Sequence, residues 1–326
     1  MFINGFSDLP KPVFQNGSTP DLFNEHPVYA MISILKTHPL IRPNGAKQLV
    51  QFLSKLPQPS TILLVDSLNR FNINAFEIRR FGASYTDVQD QKCRKKALER
   101  AEEYLQAIQT ELNLLEDVNA KNKIKLIRWD DIQDNQYEAQ IDIVERHYQT
   151  NAVLKQKIDA IAEGFIRLRL PQAKSIEQRL PFMVKYITQE MPILVTGHSW
   201  EGMHHSLLVY PTDGESKANA ADNTVGSEDE DKPSMRNLIR DVKQSPLFED
   251  LRRELIEAGG GYEGAKGNIT LPLVAPLEPA NLENSSVPTP DNNEEKLKIL
   301  EKEDSFNMTK LQASVRRFSR QTSRHA

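Results

Sequence analysis

Short apolar runs alternate with longer stretches of helical periodicity along most of this 326-residue chain. Val28-Tyr29-Ala30-Met31-Ile32-Ser33-Ile34 reads as a buried strand. Residues 45–56 have helical spacing, with Leu49, Val50, Phe52, Leu53 and Leu56 apolar, and Pro57 and Pro59 end the pattern. Thr61-Ile62-Leu63-Leu64-Val65-Asp66 is the clearest strand, an apolar run closed by a carboxylate. Residues 87–115 predict one long helix with Leu98, Ala101, Leu105, Ile108 and Leu112 as its apolar stripe. A third strand falls at 123–129, and one or two amphipathic helices at 137–163. The span 175–190 predicts a helix with Ser175 as N-cap, stopped by Pro192. The last strands are 205–210 and 268–274. Strands alternating with helices predict an α/β fold, a mostly parallel sheet covered on both faces.

Two segments fall outside this pattern. Residues 212–234 carry seven acidic and two basic residues among small polar ones and predict a disordered insertion. From 277 onward the chain is polar and rich in Pro, Asn and Glu, which predicts a disordered tail ending in Arg316-Arg317-Phe318-Ser319-Arg320. Residues 1–25 form an irregular lead-in, which leaves 26–276 as the folded domain. The hydrophobic fraction of 39% is low for a chain that is compact throughout, in line with these tails. A net charge of −4 makes any nucleic-acid binding a matter of local charge. The single cysteine, Cys93, excludes a disulfide framework. No apolar run is long enough to span a membrane, and residues 1–5 lack the pattern of a signal peptide. A cytosolic protein is expected.

Several motifs carry chemistry, each with a plainer reading beside it. Tyr186 and Glu190 are four apart on one helical face, and Tyr210 sits at the mouth of an apolar strand, where α/β folds place their chemistry. With Ser33 they could line one pocket. Gly197-His198-Ser199-Trp200-Glu201-Gly202 imitates the nucleophile elbow of serine hydrolases, but its second glycine is one residue late, and a loop is the simpler reading. The glycines at 259–264 lack the Gly-Lys-Ser/Thr order of a phosphate loop and follow a helix, so they read as a helix cap. His204 and His205 should point to opposite sides of a strand, which argues against a metal site. Lys92, Lys96 and Arg100 form a basic stripe roughly 160° from the apolar one at ~100° per residue, by default a solvated face.

Taken in order, these pieces resemble the tRNA-dependent cyclodipeptide synthases over residues 28–211, with a looser return at 268–276. Ala30-Met31-Ile32-Ser33 resembles the strand that presents the family's serine nucleophile, and Leu64-Val65-Asp66-Ser67 its second strand. The 92–100 helix resembles the one that holds tRNA. Asp131-Ile132-Gln133-Asp134 with Tyr137 resembles the segment after the third strand. Tyr186-x-x-x-Glu190-x-Pro192 matches the family's signature, and Tyr210 falls at its second catalytic tyrosine, with Pro211 as in one subgroup. Ile34-Leu35-Lys36 departs from the small residues common in bacterial members, and the pattern is closer to fungal relatives that make arginine-containing cyclodipeptides.

The resemblance implies a Rossmann-like domain similar to the catalytic domain of class Ic aminoacyl-tRNA synthetases. It implies an aminoacyltransferase that joins two aminoacyl groups through esters on Ser33 and releases a diketopiperazine. Glu190 and Tyr186 would hold the substrate ammonium, and Tyr210 would assist proton transfer during cyclisation. Tyr29, Met31, Leu63, Val65 and Trp129 would line the first amino-acid pocket, with Asp159 or Glu163 to meet an arginine side chain. Lys92, Arg94, Lys95, Lys96 and Arg100 would contact tRNA. Aminoacyl-tRNAs are the implied partners of a cytoplasmic monomer, with no cofactor, no metal and no membrane. The alternatives are a catalytically inactive tRNA-binding relative, a serine hydrolase using Ser199, and an interaction protein acting through its insertion and tail.

Overall fold

A computed structural model describes residues 13–15, 21–34, 39–41, 44–77, 86–170, 176–200, 203–213, 233–261 and 267–273. By internal packing the chain divides into Met1–Pro276 and Leu277–Ala326, and the second unit lies outside the described residues. So do most of the acidic insertion and the Ser175 cap.

The described elements run β1 (Val13–Gln15), α1 (Leu22–Glu25), β2 (Val28–Ser33), α2 (Gly45–Ser54), β3 (Ser60–Val65), α3 (Arg70–Glu77) and α4 (Asp87–Asn113). They continue with α5 (Val118–Lys123), β4 (Ile124–Arg128), α6 (Asn135–Thr150), α7 (Ala152–Arg169) and α8 (Ile176–Thr196). The last are β5 (His198–Trp200), β6 (Met203–His205), β7 (Leu207–Asp213), α9 (Met235–Gln244), α10 (Glu249–Ala258) and β8 (Gly267–Leu273). Six strands form one sheet in the order β1-β8-β7-β2-β3-β4, parallel at every step except β1 against β8. This is the Rossmann-like architecture expected from the alternation of strands and helices.

The two-residue period of the strands sorts the core into two halves. Tyr29, Met31, Leu63, Val65, Ile127 and Leu208 face the cluster built with α8. Val28, Ala30, Ile32, Ile62, Leu64 and Val209 face the cluster built with α2 and α4. Both sheet faces are covered, which accounts for strands that are apolar without interruption.

Two helices differ from the sequence expectation. The buried side of α4 is Cys93, Ala97, Ala101, Tyr104, Ile108 and Leu112, with Leu98 only partly buried. Alanines let the helix lie close, so the stripe turns toward its smallest residues. Cys93 is therefore inside, its thiol donating to Asn74 Oδ1 at 3.2 Å, rather than out among the lysines. The second difference is α8, which does not stop at Pro192. It holds Pro181 and Pro192 internally and runs to Thr196.

Tertiary packing overrides the proline penalty there. Ile187, Met191, Ile193, Leu194 and Val195 are all buried, and the Tyr137 hydroxyl donates to the Gln189 carbonyl at 2.8 Å beside the interruption. The helix ends instead at Gly197, whose φ is 80°. A Cβ there would stand 2.4 Å from the His205 carbonyl oxygen, so both conformation and space require glycine.

Candidate active site

Ser33 is the last residue of β2, at the carboxyl end of the parallel sheet. Tyr186 and Glu190 come from successive turns of α8, which packs across that end. The Ser33 hydroxyl lies close enough to the Tyr186 phenol to favour its ionised form, and the phenol donates to Glu190 Oε1 at 3.5 Å. A hydroxyl, a phenol and a carboxylate thus stand in one row. The Tyr29 hydroxyl, four residues before Ser33 on the same strand, donates to the Ile193 carbonyl at 2.9 Å and ties β2 to α8.

Burial decides the electrostatics. Glu190 is 8% exposed, and loss of solvent raises its pKa to about 7, with the Tyr186 hydrogen bond working the other way. No cation among the described residues pairs with it. Tyr186 is pushed well above the ordinary phenol range, first by burial and then by the Glu190 charge, while the Ser33 hydrogen bond and the positive charge of Arg169 oppose. A buried carboxylate that is about half ionised near pH 7, and that no cation among the described residues pairs with, is poised to accept a cationic group.

A second network pins the ends of β3 and β4. Asp66 is fully buried and accepts from the backbone N–H of Ser67 at 2.7 Å, that of Trp129 at 3.1 Å, and Arg128 Nε at 2.5 Å. Beside it, Ser67 donates to Asp130 Oδ1 at 2.5 Å, and Arg94 of α4 reaches Asp130 Oδ2 at 2.6 Å. Burial works against the Asp130 charge, but the bonds from Ser67 and Arg94 outweigh it and hold its pKa below the usual range. Sequence spacing marks Asp66 as the end of a strand. Its pairing with Arg128 needs the register between β3 and β4.

The residues expected in the amino-acid pocket fall together. Tyr29, Met31, Leu63, Val65 and Trp129 are all buried in the cluster that contains Ile187 and Met191 of α8. Asp159 and Glu163 do not join them. Asp159 accepts from the Tyr148 hydroxyl at 2.6 Å and from Lys155 at 2.8 Å, and Glu163 pairs with Arg167 at 2.5 Å. Both carboxylates sit partly exposed along α7, matched to cations one turn away. Spacings of four along a helix favour such pairs.

On α4, Lys92, Arg94, Lys95 and Lys96 are exposed and Arg100 is partly buried. Arg94 is spoken for by Asp130, and Lys95 lies 3.9 Å from Glu99. Tyr210 lies in β7 opposite Thr270 of β8, one residue past the pair Ala30–Val209 that joins β7 to β2. Its side chain lies outside the described ones.

Ser199 does not stand in a strand-to-helix turn. The segment is an antiparallel hairpin of β5 and β6, with Ser199 opposite His204 and its Oγ 3.1 Å from His204 Nδ1. The adjoining cavity, bordered by Gln140, Thr196 and Gly259, holds about 20 Å³, the room of a single water. An acyl substrate has no space there. The neighbouring His205 turns the other way, buried, with Nε2 2.9 Å from Thr61 Oγ1. Among the described residues no group of three or more His, Cys, Asp or Glu could hold a metal ion, and no helix is long and apolar enough to cross a membrane.

The cyclodipeptide synthase family model matches residues 84–216. That span contains α4, both members of the α8 pair and Tyr210. Among solved structures, a cyclodipeptide synthase from Fluoribacter dumoffii is similar at 16% identity with a TM-score of 0.52, over 81% of this chain and 97% of that one. A cyclodipeptide synthase from Bacillus thermoamylovorans is similar at 16% identity with a TM-score of 0.51, over 82% of this chain and 98% of that one. At that identity the likeness establishes the fold. No curated protein matches the sequence. Ser33 lies outside the span matched by the family model, so its assignment rests on its place at the end of β2 and its nearness to Tyr186.

Proposed function

We propose that the chain is a tRNA-dependent cyclodipeptide synthase. The observation that carries this reading is the row Ser33–Tyr186–Glu190, in which a hydroxyl nucleophile stands near a buried carboxylate that no cation among the described residues pairs with. The α-ammonium of an aminoacyl ester supplies that missing charge, and charge-assisted hydrogen bonds from it to Glu190 and Tyr186 would fix the ester carbonyl against Ser33.

Ser33 Oγ attacks the ester carbon. The new bond is the seryl ester, the bond broken is that to the terminal ribose oxygen, and the tRNA leaves with the proton. The ester is already activated, so the step needs no nucleotide triphosphate. The amine of the aminoacyl-enzyme then attacks the ester of a second aminoacyl-tRNA, which releases that tRNA and leaves a dipeptidyl ester on Ser33. Attack of its free amine on the seryl ester closes the diketopiperazine and returns the proton to Ser33, with Tyr210 proposed to pass it. Closure is intramolecular, which removes the cost of bringing two molecules together.

The walls Tyr29, Met31, Leu63, Val65 and Trp129 are apolar and aromatic. With Asp159 and Glu163 committed to cations along α7, the geometry supports an apolar or aromatic first residue over arginine. Lys92, Lys95, Lys96 and Arg100 are proposed to meet tRNA phosphates, while Arg94 holds α4 to the strand ends. Incubation of the full chain with tRNA charged with all amino acids tests the reading, since the product mass names both residues.

A further inference from the structure

Within electrostatic reach of Tyr186 lies a pairing that the chemistry above does not use. Arg169 ends α7, and its guanidinium lies 4.8 Å from the centroid of the Phe76 ring on α3. Phe76 is half-buried against the α8 side of the core, whereas Arg169 is exposed. The guanidinium carbon is thus held over an aromatic ring on a side chain that is otherwise exposed. The platform is also held in place. Arg179 of α8 donates to the carbonyl of Ala75, the residue before Phe76, so the end of α3 is fastened to the helix that carries Tyr186 two turns further on. Arg169 itself is close enough for its charge to act on the Tyr186 phenol.

A planar cation held over a ring and open to solvent can take a flat π-system on its free face, and a phosphate on its edge. Beside Tyr186, the flat group that any aminoacyl-tRNA must bring is the adenine of its 3′-terminal nucleotide, which bears the ester. We propose that Arg169 on Phe76 is a stacking platform for that terminal adenine. The inference rests on the reading of the substrate as aminoacyl-tRNA. The platform sets the depth at which the ester reaches Ser33 without discriminating among amino acids, because every tRNA shares this end. Stacking on a protein π-face is tolerant of sequence and is worth about tenfold in affinity or more.

The test is binding by the full chain of a short RNA duplex ending in single-stranded CCA, against the same duplex ending in CC, followed by fluorescence anisotropy at fixed salt. The wild type should bind the CCA end about tenfold more tightly. Arg169→Ala and Phe76→Leu should each bring the two ends within about twofold, with the affinity for the CC end little changed. Arg169→Lys keeps the charge and loses the plane, so it should behave like Arg169→Ala. Thermal unfolding of each variant shows that the fold is retained. If the variants keep the wild-type preference, or the wild type has none, or Arg169→Lys retains it in full, the platform is overturned while the proposed function stands. If neither RNA binds the wild type, the reading on which the platform depends fails with it.

Discussion

The Tyr29 hydroxyl donates to the Ile193 carbonyl at 2.9 Å, across 164 positions of sequence. This bond sets the spacing between the strand that ends in Ser33 and the helix that carries Glu190. It lies in the core, so its partners have no water to turn to. Tyr29→Phe should cost about 1 kcal/mol in urea unfolding. Acyl transfer should fall further than that loss of stability accounts for, because α8 and β2 lose their tie. Equal rates in the variant and the wild type would separate the bond from catalysis.

Glu190 predicts opposite effects of pH on activity and stability. Its folded pKa of about 7 lies above its ordinary value of 4.5, so the native state holds the proton more tightly than the unfolded one. Its contribution to stability is full below pH 4.5 and is lost as pH rises through 7. Glu190→Gln should therefore stabilise the protein at pH 8, by on the order of 3 kcal/mol at most, and do little at pH 4.5. Activity runs the other way, since the ammonium needs the ionised carboxylate. The wild-type kcat/KM should rise to a plateau with a limb near pH 7, and the glutamine variant should lose the activity. A variant whose stability relative to the wild type is no greater at pH 8 than at pH 4.5 would contradict the burial argument.

His198 and His205 act in the reverse sense. Burial depresses both to a pKa of about 4, with the neighbouring histidines adding to the effect at His198. Their stabilisation is complete above pH 6.5 and is lost as pH falls toward 4. His205→Gln keeps a hydrogen-bonding group for Thr61 and should make the unfolding midpoint less sensitive to acid between these limits. An unchanged acid profile would mean that the hairpin of β5 and β6 opens before the core does.

The basic face of α4 predicts a salt-dependent interaction. Neutralising Lys92, Lys96 and Arg100 together should weaken tRNA binding and reduce the slope of log K against log salt by about two to three. Arg94→Ala should behave differently, because Arg94 is bonded to Asp130. It should lower stability while leaving the salt slope nearly intact. Titrations of tRNA at several salt concentrations distinguish the two.

The sequence pattern reaches a long way into this fold. Five parallel strands, the long helix and the pairing of Tyr186 with Glu190 all follow from local periodicity, because each depends on which residues can be buried on one face. What the pattern misreads depends on tertiary packing. The span of α8 through Pro192 is stabilised by buried neighbours and by Tyr137, which lies 52 positions away from its acceptor Gln189. The commitment of Arg94 to Asp130 joins residues 36 positions apart, and the surface pairs of Asp159 and Glu163 compete locally with a role in the pocket. The platform of Arg169 on Phe76 leaves no trace in a linear reading, since two helices must meet before it exists.

The central claim is that Ser33 carries the aminoacyl group. Intact-protein mass spectrometry of the full chain after brief exposure to charged tRNA, with Ser33→Ala alongside, tests it most directly. The account predicts an added aminoacyl mass on the wild type that maps to Ser33, is absent from Ser33→Ala, and disappears as a diketopiperazine accumulates. A product formed equally well by Ser33→Ala, or an acyl group mapped to Ser199, would contradict it.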